Sequence, residues 1–248
     1  MQGWKIFVHA LSMVVRNWRE ALRIALFPTA LWAVALVVVG FALPQSQATD
    51  GEVAASGSMI LTGLISILIA VLAMIWVLVN WHRFILLSEY PSGWLPTLRR
   101  DAIGAYLWRV VQMTLLLILA MIPIVVITMI LGGANGALLM IWVGLMLYGF
   151  YRISPILPAA AVGETLAMRA AWDATRPGAG AIVIIIILSM VVTQLASVIE
   201  VLLTGAIPVF GAIVSIILMA ALGLLNASIL TTIYGHYVDG RQLSDARE

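Results

Sequence analysis

The sequence contains no cysteine, which removes disulfides, thiolate metal sites and cysteine nucleophiles together. Charge is nearly as scarce. Only 10% of the 248 residues are Asp, Glu, Lys or Arg, against about 25% in a soluble domain. Hydrophobic residues make up 63%. A water-exposed globule of this length has no interior large enough to hide them. The net charge of +2 makes no electrostatic case for a nucleic-acid partner. Nucleotide loops, zinc-protease helices, nucleophile elbows and paired carboxylates are also missing. No catalytic residue, metal or cofactor is therefore expected, and the chain reads as a non-enzyme.

What is present is apolar length. A helix needs about 20 mostly apolar residues to cross the hydrocarbon of a bilayer. Six runs meet this, at about 24–43, 59–79, 110–130, 137–153, 181–199 and 209–233. They predict an all-α membrane protein, with residues 1–248 as one integral membrane domain. Residues 151–157 extend the short fourth run into the interface. The triplet Ser46-Gln47-Ala48 loosely resembles a signal-peptide cleavage site. The basic leader and the apolar run before it are too long for one, so an uncleaved first helix is expected.

The 13 basic residues fall into four groups. Lys5, Arg16, Arg19 and Arg23 precede the first run. Arg83, Arg99, Arg100 and Arg109 lie between the second and third. Arg152, Arg169 and Arg176 lie between the fourth and fifth, and Arg241 and Arg247 are in the tail. The other connections have none. They hold Asp50 and Glu52, the GGANG turn at 132–136, and Glu200 near Gly205–Pro208. Only an even number of crossings between basic groups produces this partition. The positive-inside bias then puts both termini in the cytoplasm.

Before the first run, Trp4, Phe7, Val8, Leu11, Val15 and Trp18 recur at helical spacing, with Lys5, His9, Ser12, Arg16 and Arg19 on another face. This predicts an amphipathic helix over 1–20, lying in the headgroup layer or packed on the other cytoplasmic segments. Similar segments precede the third run (Trp94, Leu95, Leu98) and the fifth, where 159–175 reads as a short helix. The expected architecture is three hairpins, each preceded by a cytoplasmic interfacial amphipathic segment. Lys5, Arg16, Arg19, Arg83, Arg99, Arg100, Arg152 and Arg169 are the expected contacts to anionic headgroups.

The run interiors hold no Lys, Arg, Asp or His. Their polar residues define a candidate intramembrane site: Gln112, Gln194 and Asn226, with Glu200 just past the fifth run. Such amides line a polar path or, more commonly, bond to neighbouring helices. Glu200 is either a proton- or cation-binding carboxylate or an interfacial one in water, and no basic partner stands on its side. Pro123 is expected to kink the third run. Gly223 and Ala227 would let another helix approach closely. His9, His82 and His236 share one face without metal-ligand spacing.

The stretches WHRFILLSEYP (81–91) and YRISPILPAAAVGETLAMRAAWDATRP (151–177), with two runs between them, resemble a family of uncharacterised bacterial six-span inner-membrane proteins. That family is itself similar to the membrane domain joined to some glycerophosphodiester phosphodiesterases. The phosphodiesterase catalytic domain is not found in these residues, so the resemblance implies a bacterial inner-membrane location and transfers no activity. Function is expected to be that of an accessory or scaffold subunit. It would bind another membrane complex, self-associate or organise membrane lipids. The alternative is a small transporter or lipid-handling protein for a weakly polar or amphiphilic substrate. An enzyme using His82, Arg83, Arg152 and Glu164 would require those four to converge.

Overall fold

The structure is a computed structural model that describes residues 2–42, 57–131, 133 and 136–243. The described residues form helices α1 (Gln2–Arg16), α2 (Trp18–Ala42), α3 (Gly57–Leu87), α4 (Arg100–Ile130) and α5 (Gly136–Ile153), then α6 (Ile156–Val162), α7 (Met168–Ala174), α8 (Ala179–Ala206) and α9 (Pro208–Tyr237). A 3₁₀ turn, Arg176–Gly178, leads into α8. No strand occurs among the described residues.

Five segments are long and apolar enough to span a membrane: Ile60–Leu87, Arg100–Ile130, Gly136–Val162, Arg176–Ala206 and Val209–Tyr237. The chain is a multi-pass membrane protein. The run expected at 24–43 falls in α2 and is not one of the five. Its far end, the connection with Ser46-Gln47-Ala48, Asp50 and Glu52, most of the GGANG turn, and Arg247 lie outside the described residues.

The helices outrun the apolar stretches. α4 has 31 residues, roughly 46 Å at 1.5 Å per residue, against a hydrocarbon core of about 30 Å. It passes through Pro123 without interruption. The excess length carries Arg100, Asp101 and Arg109, for which water or headgroups are the natural surroundings.

Three expectations fail locally. Residues 151–157, expected at the interface, are all buried, as are 158–161. The chain is interrupted only at Ser154-Pro155 and continues as α6, which packs against α3, α4 and α9. Ala159, Ala160 and Ala161 favour that close approach, because each has only a methyl group to accommodate. The single helix expected over 159–175 is split into α6 and α7. Gly163 stops α6 with φ of +88°, a conformation that costs glycine little. The Glu164 N–H then bonds Ala159 O at 2.9 Å and the Gly163 N–H bonds Ala160 O at 3.3 Å, closing a Schellman motif. Residues 91–98, before α4, are not helical.

α2 runs antiparallel along α3. Its early residues Ala21, Ile24 and Ala25 share a buried cluster with Val77, Trp81 and Phe84. Its later residues Pro28 and Trp32 sit across a small gap from Ala73 and Met74. That gap holds only about 30 Å³, room for about one water molecule. α1 packs on α8 and α9. Gly3 makes this possible, since a Cβ there would stand 2.5 Å from Ala181 O.

Candidate functional site

The end of α3 is pinned to α9 by two ring N–H groups. Trp81 Nε1–H donates to Ser228 Oγ at 2.8 Å, and Ser228 donates to Leu224 O at 2.9 Å. His82 lies 2.7 Å from Thr231 Oγ1 through Nδ1. Thr231 donates its one proton to Ala227 O at 2.7 Å, so it accepts from His82. The proton of the imidazole is therefore on Nδ1, and Nε2 accepts from the Tyr106 hydroxyl at 3.3 Å. The His82 ring is neutral and both its nitrogens are used. His82, Tyr106, Ser228 and Thr231 are all buried.

Arg83 turns outward to Glu89. Its Nε donates at 2.9 Å and its Nη2 at 2.6 Å, a bidentate pair, while Nη1 donates to Ala161 O near the end of α6 at 2.9 Å. Arg99 joins the same carboxylate at 2.7 Å. The Arg83 hydrogen bond, followed by the charges of Arg83 and Arg99, holds the Glu89 carboxyl below the usual range, against an opposing effect of burial. Arg241 Nη2 donates to Leu86 O at 3.0 Å and closes the end of α3.

Arg152 is the one expected headgroup contact that lies inside the fold, with 4% of its surface exposed. Nε donates to Thr175 Oγ1 at 2.8 Å, Nη1 donates to Tyr148 O–H at 2.9 Å, and Nη2 bonds Trp172 O. Its guanidinium stacks 4.2 Å from the Trp172 ring centroid. It ties α5, α7 and the turn before α8 together, and no carboxylate pairs with it among the described residues. Lys5, Arg16, Arg19, Arg100 and Arg169 are exposed, and Arg99 is partly so. These contacts gather the cationic ends of α3, α4, α5, α8 and α9 at one end of the bundle.

His82, Arg83, Arg152 and Glu164 do not meet, since the first three have separate partners and Glu164 is exposed beyond α6. His9 and His236 line a cavity of about 140 Å³ with Arg241. Gln2 Nε2 donates to His236 Nε2 at 2.7 Å, and His236 Nδ1 donates to Arg241 O at 3.1 Å. Burial, and then the nearby Arg16 charge, lower the His9 pKa. Among the described residues no three His, Asp or Glu side chains could hold a metal ion.

The four candidate intramembrane residues do not form one site. Gln112 accepts from Arg109 Nη1, three residues back on its own helix, at 3.0 Å. Asn226 accepts from the Tyr151 hydroxyl at 3.0 Å and donates to Leu222 O at 3.1 Å. Gln194 is exposed on α8. Glu200 alone lines a sizeable space, a groove of about 630 Å³ between α2, α8 and α9 at the end away from the arginines. Thr193, Ser197, Glu200 and Thr204 form one wall. Their spacing of i, i+4, i+7 and i+11 confines them to an arc of about 60° on α8. Ser215, Ala212 and Met219 of α9 and Trp32 and Val37 of α2 form the others. The α8–α9 turn fixes the mouth, because Gly211 lies so close to Thr204 that a Cβ there would be 2.4 Å from Thr204 Cα. Ser197, Thr204 and Ser215 were not among the expected site residues. The helical spacing of the hydroxyls with Glu200 is the signal that marks them.

No family model, curated protein or solved structure matches this chain, so its functional reading rests on the locked basic end and the groove opposite.

Proposed function

We propose that this is a non-enzymatic, six-span protein of a bacterial inner membrane, with both termini cytoplasmic, that organises or handles lipid. In this reading α2 supplies the sixth span. Support comes from its 25 residues, its antiparallel packing along α3, and the absence of Lys and Arg between Arg23 and Arg83. The spans pair as α2–α3, α4–α5 and α8–α9, three hairpins with their cationic ends together. This is also the architecture of the six-span family that residues 81–91 and 151–177 resemble.

α1 suits the cytoplasmic headgroup layer. Gly3, Ile6, Phe7 and Ala10 face the bundle, while Trp4, Leu11 and Val15 are exposed along one line of the helix. Lys5 and Arg16 occupy a third face. An apolar line beside a cationic one fits a helix that seats the bundle against anionic lipid.

The observation that carries the lipid reading is the groove. Its 630 Å³ falls within the range of ligand pockets. The polar stripe from Thr193 to Thr204 runs about 16 Å along α8, roughly half the hydrocarbon thickness. An alkyl chain from one leaflet fits that depth. The test is mild extraction from native membranes followed by mass spectrometry of the intact protein. A stoichiometric lipid or other amphiphile supports this reading. A stoichiometric second membrane protein with no bound lipid would replace it with the accessory-subunit role.

A further inference from the structure

We propose that Glu200 is the headgroup selector of the groove, and that its ligand is a single-chain amphiphile bearing a protonated amine. The inference rests on the groove being a lipid site and adds the chemistry of the head.

The carboxylate has no cationic partner from its own chain. Among the described residues no Lys, Arg or His stands within ion-pair distance of Glu200. In the sequence, residues 43–56 and the GGANG stretch at 132–136 contain no Lys, Arg or His either. The nearest basic residues in sequence are Arg176 and His236, each more than about 30 Å away along its helix. Glu200 is exposed on α8 and lines the groove, so it presents an accessible carboxylate to a ligand's positive charge.

The surroundings say what kind. Ser215 lies eight residues after Ile207 and Glu200 seven before it, so the turn brings them to the same level on facing helices. Ser215 donates its proton to Gly211 O at 3.0 Å, which leaves its oxygen as an acceptor toward the groove. An ammonium has three donors and no acceptor, and it would match a carboxylate beside such an oxygen. A bare metal ion would leave the apolar α2 wall, with Trp32, unused. A neutral alcohol would leave the carboxylate without a countercharge. An amine head with an alkyl tail uses both.

The probes are a photoactivatable long-chain amine and the matching alcohol, offered to the purified full-length protein in mild detergent. Crosslinked peptides are mapped by mass spectrometry. The amine should label α2, α8 and α9 around the groove about tenfold more efficiently than the alcohol, the factor expected for one charge-assisted hydrogen bond. Glu200→Gln should remove that preference and leave alcohol labelling unchanged. Glu200→Asp, which keeps the charge, should retain most of it. Equal groove labelling by the two probes, unaltered by Glu200→Gln, overturns the headgroup assignment alone. Labelling by neither probe overturns it together with the lipid site.

Discussion

His82 gives its Nδ1 proton to the Thr231 hydroxyl, 2.7 Å away, and Thr231 gives its own to the carbonyl of Ala227. The direction of each bond follows from the other, because a hydroxyl has a single proton. The pair joins the last turns of α3 to the last turns of α9 at a fully buried point. Thr231→Val keeps the shape and removes the acceptor. A buried N–H without a partner costs about 1–3 kcal/mol, a fall of several degrees in thermal midpoint for a chain of this size. Thr231→Ser should retain most of the stability. Thermal unfolding of the detergent-solubilised protein reads both, and a Val variant as stable as the Ser variant would remove His82 from this role.

Arg152 makes the second test. Its planar fork reaches Thr175, Tyr148 and Trp172 at once, and a lysine offers no such geometry. Arg152→Lys keeps the charge and should still loosen α7 from α5. Limited proteolysis should then cut the 163–167 connection faster than in the unmodified protein. An unchanged cleavage rate would mean that the positive charge alone is what the site needs.

Acid should weaken the basic end in two windows. Burial lowers the His9 pKa in the folded state. Its contribution is full above the unfolded value of about 6.5 and is lost as pH falls from there. The Glu89 pKa is also lowered, chiefly by its hydrogen bond from Arg83. Its contribution is full above about 4.3 and is lost as pH falls through the lower folded value. With its side chain 32% exposed, Glu89 should give the shallower limb. A thermal-stability profile from pH 7 to pH 3 should therefore show two declines. His9→Asn should flatten the first and Glu89→Gln the second.

Gly211 tests the groove mouth. A methyl there would meet Thr204 backbone at 2.4 Å. Gly211→Ala must push α8 and α9 apart, at about 1–3 kcal/mol for overpacking. Gly144, with nothing near its missing Cβ, is the control. The Gly211 variant should melt lower than the Gly144→Ala variant.

The parts legible in the sequence are those set by length and sign. Apolar runs of hydrocarbon length locate the helices, and the grouping of arginines anticipates that five helix ends share one side. What was not legible depends on which neighbour covers a side chain. Residues 156–161 are apolar whether lipid or protein surrounds them, so only the fold reveals that α6 packs against α3, α4 and α9. Arg152 at the end of an apolar run reads as interfacial until Tyr148, Trp172 and Thr175 close round it. Gln112 and Asn226 read as a possible path until each is seen bonded to a nearby partner. Glu200 was legible as an isolated carboxylate, and the α2 wall that turns it into part of a groove was not.

The central claim is that the groove between α2, α8 and α9 holds an alkyl chain. Its most direct test is mass spectrometry of the intact protein after mild extraction, compared with a variant in which Ala212→Trp fills the groove. The account predicts one bound amphiphile on the unmodified protein and loss of that mass on the variant, with the thermal midpoint of the two proteins similar. The same bound mass on both, or none on either, would contradict it.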